Sequence, residues 1–191
     1  MLILASQSPR RREILNMLGY CPVCRPANAD ETLPSDQPPA GGVELLARRK
    51  ASAVLPAADA ADTVLGSDTV VVLDGRILGK PRDAAEAATM LRLLSGRTHY
   101  VYTGVALLRG EESFIFHDRT RVTFYDLSDR EIHEYVATGE PMDKAGAYGI
   151  QGRGSALVRG IAGDFFTVMG LPAGKTLRAL RRWGVYPEKQ K

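Results

Sequence analysis

Along its whole length the chain exchanges short apolar runs for amphipathic helical stretches, and this alternation constrains the fold more than any other feature. Residues 2–5 have the length of a buried strand. Residues 9–18 place Ile14, Leu15 and Leu18 on one helical face. Residues 22–26, bracketed by Pro22 and Pro26, read as extended, and residues 30–42, rich in Pro, Asp and Gly, as a loop. A helix is expected over 43–55, ended by Pro56. A strand follows over 63–73, with an interruption at Gly66. Asp74-Gly75 is a strong hairpin turn leading into 76–78.

The second half repeats the exchange. Residues 83–94 form an amphipathic helix carrying Ala87, Met90, Leu91 and Leu94. Strands are expected over 98–108 and 113–125, joined at Arg109-Gly110-Glu111-Glu112. Residues 128–138 form a helix whose Ser128 and Glu131 have the spacing of a capping box. The glycine-rich stretch 146–163 leaves room for a strand at 156–161, and a last helix covers 172–183. The expectation is α/β: a mixed twisted sheet flanked by helices. With 191 residues and neither repeat nor linker, residues 1–191 are expected to form a single domain.

Charge and cysteine content narrow the function. A formal net charge of +3 suits an anionic substrate and is too mild for a nucleic-acid binder. No apolar run is long enough to span a membrane. In MLILASQSPRRR the arginines follow the apolar residues, the reverse of a signal peptide, so a cytoplasmic location is expected. Cys21 and Cys24 are spaced as C-P-V-C, but they lie in a proline-flanked extended segment instead of opening a helix. His99, His117 and His133 are scattered without metal-ligand spacing. Two unpaired thiols in a strand are therefore expected.

The clearest chemical signal is Ser6-Gln7-Ser8-Pro9-Arg10-Arg11-Arg12. Ser8 suits an N-cap and Pro9 the first helical position. Three arginines in a first helical turn oppose the macrodipole, and a bound anion would remove that conflict. Guanidinium groups add planar bidentate donors that match phosphate. A solvated basic surface is the competing account of the run.

Other polar positions are weak one by one. Asp68 sits inside the apolar strand pattern 66–72, where a carboxylate is costly unless paired or bound to a metal. Asp30-Glu31 opens a loop, Lys50 lies on a helix face, and Lys80 is held between Gly79 and Pro81. Together they supply what triphosphate hydrolysis needs: cations against the phosphates, carboxylates for a divalent ion, and one carboxylate to orient or deprotonate water.

These blocks, in order, resemble the Maf family, named for septum formation. They are Ser6-x-Ser8-Pro9-Arg10-Arg11, Asp30-Glu31, Ala47-x-x-Lys50-Ala51, Ser67-Asp68-Thr69-Val70-Val71, Gly79-Lys80-Pro81, Leu94-Ser95-Gly96-Arg97-x-His99-x-Val101-x-Thr103, the run from Asp143 to Gly152, and Gly170-Leu171-Pro172. The resemblance implies an ITPase-like α/β fold, bilobed with a central cleft. It also implies cleavage of a nucleoside triphosphate to monophosphate and pyrophosphate with Mg²⁺, Mn²⁺ or Co²⁺, and a homodimer without nucleic-acid or membrane partners. It assigns Ser6, Arg10, Arg11, Lys50 and Lys80 to substrate and phosphates, and Glu31 and Asp68 to the metal, with Asp68 as proton acceptor. Members acting on dTTP and UTP carry Arg10, Thr69 and Gln151 at the matching positions. A branch resembling 7-methyl-GTP pyrophosphatases carries Trp, Gln and Glu there. Gln151 offers a donor and an acceptor, as a pyrimidine edge requires.

Two other readings compete. Gly170-Leu171-Pro172-Ala173-Gly174-Lys175-Thr176 resembles a P-loop ATPase or kinase motif, but it has three residues where four are needed, and one is proline. Arg178, Arg181 and Arg182 could dock a nucleic acid or an acidic partner. More simply, they form the polar face of a helix whose Leu177, Leu180 and Trp183 face the core.

Overall fold

The apolar-rich stretch 63–73 becomes an interior strand of the sheet. In the computed structural model, which describes residues 1–34 and 37–187, β3 covers Thr63–Leu73 and is buried along almost its whole length. Burial on both faces demands cover on both sides of the sheet. Two residues of the expected loop over 30–42, and the last four of the expected domain, lie outside the described residues.

The remaining strands are β1 (Leu2–Leu4), β2 (Val23–Cys24), β4 (Arg76–Leu78), β5 (Thr98–Arg109), β6 (Glu112–Phe124) and β7 (Val158–Ala162). The seven form one mixed sheet in the order β2-β1-β3-β5-β6-β7, with β4 added to β3. β1 runs parallel to both β2 and β3, pairing Leu4 with Cys24 and with Leu65. β4 returns antiparallel, pairing Leu73 with Arg76. Asp74 and Gly75 make that turn at φ 49° and 77°, the left-handed pair that a tight hairpin requires. β7 pairs antiparallel with β6.

The helices are α1 (Pro9–Met17), α2 (Pro39–Val54), α3 (Ala84–Leu94), α4 (Asp129–Val136), α5 (Phe165–Met169) and α6 (Ala173–Arg182), with short 3₁₀ turns after α2 and between α4 and β7. The chain forms two compact units. One comprises Met1–Asp68, Thr103–Asp118 and the described residues from Gly170 onward; the other comprises Thr69–Tyr102 and Arg119–Met169.

In the first unit, Ile3, Ala5, Val64, Ala106 and Leu108 from the strands pack on Ala47, Ala51 and Val54 of α2. Small residues on α2 let helix and strands come close. Gly66 is not a break in β3 but the point of closest approach: a Cβ there would lie 2.2 Å from the Ala47 carbonyl oxygen. Gly104 of β5 meets the Val43 carbonyl in the same way, at 2.3 Å. α2 begins four residues earlier than its apolar pattern implied, because Pro39 at its first position tolerates a helix start.

In the second unit, α3 and α4 pack through Leu91, Leu94, Ile132 and Tyr135 against Val71, Phe124, Tyr148 and Leu157. The expected capping box forms: Ser128 accepts from the Glu131 N–H, and Glu131 accepts from Ser128. The strand expected at 156–161 is shifted to 158–162, because a 3₁₀ stretch occupies Gly152–Leu157. The apolar run before Gly170 is helix α5 and not the strand of a P-loop, and Lys175 pairs with Asp118 at 2.8 Å. On α6, Thr176 and Leu180 are fully buried, while Leu177 and Trp183 are only partly so. Arg109 stacks over Trp183 and donates to its carbonyl. Among the described residues, no helix is long and apolar enough to cross a membrane.

His99 is sealed in this second core, edge-on to Phe124 and Tyr148, with Nε2 2.8 Å from the Tyr148 hydroxyl. Burial lowers its pKa from 6.5 to about 4. The unfolded chain therefore binds the proton more readily across that interval, and unfolding is favoured as pH falls. We expect up to about 3 kcal/mol of stability, fully present above pH 6.5, to be lost by about pH 4. Urea unfolding followed across this range, with the His99 ring signals in NMR still neutral at pH 5.5, checks it.

Candidate active site

Strand β1 ends at Leu4, and the chain turns at Ser6 before entering α1. Ser8 occupies the N-cap position with extended backbone, but its side chain makes no cap bond. Its N–H is instead donated to the Ser6 hydroxyl at 3.1 Å. That hydroxyl also accepts from Arg11 at 3.1 Å, so Ser6 fixes both the turn and the guanidinium. Arg11 makes a second bond, Nε to the Gly170 carbonyl at 2.9 Å, and the same carbonyl accepts from the buried Ser67 hydroxyl at 3.0 Å. The first turn of α1 contains no acidic residue. Burial lowers the Arg11 pKa; the charges of Asp68 and Glu31 oppose that, and Arg10 adds to it. Two cations, two carboxylates and a helix N-terminus thus share one electrostatic neighbourhood.

The close approach of α2 to β3 creates the next feature. Gly66 and Asp68 are two apart on a strand, so they point to the same side. Lys50 lies between Ala47 and Ala51, the residues that Gly66 meets. Its Nζ is 2.5 Å from Asp68 Oδ1 and 2.8 Å from Glu31 Oε1. The Lys50 and Asp68 side chains are only 13% and 11% exposed, whereas Glu31 is 61% exposed. One ammonium therefore balances a buried carboxylate and an exposed one. Removing one partner of such a buried pair costs about 3–5 kcal/mol.

Glu31 reaches this position because its loop is tied down. Arg49, next to Lys50, donates to the Asp30 carbonyl at 3.2 Å and the Thr32 carbonyl at 2.7 Å. The Thr32 N–H closes a turn on Asp30 Oδ1 at 2.9 Å. Sequence reasoning singled out neither Arg49 nor the carbonyl of Gly170, although both adjoin or lie within the matched blocks.

Ser6, Arg10, Arg11, Glu31, Lys50 and Asp68 all belong to the first unit. Thr69, Lys80 and Gln151 belong to the second. Thr69 follows Asp68 on β3 and is half-buried. Lys80 is exposed, but its backbone is held: the Gly79 carbonyl accepts from the Gly146 N–H at 3.0 Å, and Pro81 is buried. Gln151 is exposed, at the start of the 3₁₀ stretch 152–157.

Cys21 and Cys24 are exposed free thiols, with only Cys24 in β2. Cys24 lines a groove of about 390 Å³ with Ser6, Ser8, Arg12 and Glu13, so the C-P-V-C segment borders the arginine turn.

No group of three or more His, Cys, Asp or Glu that could hold a metal occurs among the described residues. The donor set nevertheless fits a hard divalent cation. Asp68 and Glu31 offer carboxylate oxygens to a common positive centre, a place that the Lys50 ammonium takes here. Magnesium ions characteristically use one or two carboxylates and complete their shell with water and substrate phosphates.

The sequence model of the family described as "Maf-like protein" matches residues 1–183. The dTTP/UTP pyrophosphatase of Moorella thermoacetica is 55% identical over 188 residues, covering 96% of this chain and 95% of that protein. The dTTP/UTP pyrophosphatases of Symbiobacterium thermophilum and Bacillus pumilus are 53% and 47% identical, each over 186 residues. They cover 97% of this chain and 95% and 98% of their own lengths. Among solved structures, the Staphylococcus aureus Ham1 protein aligns with 65% of this chain and 72% of its own, at 16% identity and a TM-score of 0.47.

A methyl group at position 66 would force α2 off β3 and carry Lys50 away from Asp68. Gly66→Ala is expected to cost about 1–3 kcal/mol of stability, as overpacking does, and to reduce turnover more than substrate binding. Thermal unfolding and steady-state kinetics on the same preparation check both.

Proposed function

Because the chain belongs to the Maf family, we propose that it hydrolyses dTTP and UTP, and related pyrimidine nucleotides, to the monophosphate and pyrophosphate. The observation that carries this reading is the shared ammonium. Lys50 holds Asp68 and Glu31 at once, beside a half-buried Arg11 whose field includes both carboxylates. Such a site has carboxylates to spare only when another cation arrives, and cations to spare only when an anion arrives. A metal–triphosphate brings both.

Arg10, Arg11 and Ser6 receive phosphate oxygens at the N-terminus of α1. Lys50 turns from the carboxylates to the phosphates, and Lys80 adds a further cation. Asp68, released from Lys50, takes the proton of a water whose oxygen attacks the α-phosphorus. The bond from that phosphorus to the α–β bridging oxygen breaks, and pyrophosphate leaves with its charge offset by the lysines. Glu31 and Asp68 would hold Mg²⁺, or Mn²⁺ or Co²⁺, which when bound neutralises phosphate charge. Thr69 and Gln151 face the base, with the Gln151 amide supplying the donor and acceptor that a pyrimidine edge requires. The reading extends to a cytoplasmic protein that pairs as a homodimer, and sedimentation of the purified protein would detect the dimer.

Incubation with dTTP and Mg²⁺ should yield dTMP and pyrophosphate. Asp68→Asn should keep the fold and lower kcat by about a hundredfold to ten-thousandfold, the range for loss of a general base. Near wild-type turnover in that variant would retire the assignment. Orthophosphate release from ATP, abolished by Lys175→Ala, would point to a P-loop enzyme instead.

A further inference from the structure

The turn that carries Gln151 is held more firmly than an exposed turn needs. Glu140 accepts the Gly154 N–H on Oε1 and the Arg153 N–H on Oε2, both at 3.1 Å. Oε1 also accepts from the Tyr135 hydroxyl at 3.0 Å. That hydroxyl in turn accepts the Gly149 N–H at 3.1 Å. Three backbone donors, on both sides of Gln151, thus end on one carboxylate–phenol pair. The pair is itself seated: Tyr135 is buried in α4, and Lys144 donates to the Glu140 carbonyl at 2.6 Å. The turn lies flush against it. A Cβ on Gly152 would fall 2.9 Å from Glu140 Oε2, and one on Gly154 would fall 2.2 Å from the Gly149 carbonyl oxygen. Gln151 stays exposed at the crest, outside this network.

We infer that Glu140, with Tyr135 behind it, is a positioning residue for Gln151 and so sets the enzyme's preference among nucleobases. Hydrogen-bond readout of a base edge needs its donor and acceptor held in place, and an amide on a loose turn would lose that discrimination. A carboxylate is required because it alone offers acceptors on both oxygens. This inference rests on the assignment of Gln151 to the base made above.

Glu140→Gln keeps the shape but replaces one acceptor with an N–H₂ donor facing a backbone N–H. The test combines hydrogen exchange on the nucleotide-free protein with kinetics on dTTP, UTP and GTP. We expect exchange at residues 149–154 to accelerate about tenfold, the scale of losing one charge-assisted bond. KM for dTTP and UTP should rise about tenfold with kcat changed by less than about threefold, and the preference over GTP should fall. Tyr135→Phe, which removes the Gly149 acceptor, should move all readouts the same way and carries the test if Glu140→Gln fails to fold. Unchanged exchange overturns the inference. So does unchanged base preference in Glu140→Gln when Gln151→Ala abolishes it, and so does an equal loss of kcat on all three nucleotides. If Gln151→Ala itself leaves the preference intact, the base assignment falls separately, and exchange alone decides whether Glu140 holds the turn.

Discussion

The first unit depends on how closely α2 lies on β3. The spacing is fixed where a helix carbonyl faces a strand position that has no side chain, and it sets Lys50 on Asp68. A carboxylate in the middle of an apolar strand would otherwise be among the most costly groups in the protein. Its presence there is tolerable because an ammonium on the neighbouring helix, and a second carboxylate from a tethered loop, complete a charge cluster. The same packing that stabilises the core therefore places the charge cluster.

The electrostatics of α1 follow a related logic. Arginines at a helix N-terminus oppose the macrodipole, and Arg11 is also half-buried, which lowers its pKa. It is held by oxygen on two sides, Ser6 and Gly170, and by the field of Asp68 and Glu31. The arrangement holds the guanidinium in one direction and opposes the loss of its charge.

Much of this was legible in the sequence. The strand–helix alternation, the Asp-Gly hairpin and the Ser128 capping box follow from local chemistry, and the structure forms each of them. Other features were not legible, for identifiable reasons. Gly66 looked like a break because its role lies in a helix fifteen or more residues away. Ser8 looked like a side-chain cap, yet its N–H goes to Ser6. The start of α2 at Pro39 was hidden by glycines and prolines that favour loops until tertiary packing overrules them. Asp30-Glu31 gave no sign of its place because the tether, Arg49, acts through backbone carbonyls, which carry no sequence signature. Glu140 was passed over because it too acts on the main chain, accepting the N–H groups of Arg153 and Gly154.

The Gly170 carbonyl, which accepts from both Arg11 and Ser67, ties the beginning of the chain to a residue near its end. A ribosome that has delivered α1 and β3 still holds a polypeptide in which the Arg11 guanidinium has the Ser6 hydroxyl but not yet the Gly170 carbonyl. The full set of bonds around Arg11 is therefore completed only once translation has passed Gly170.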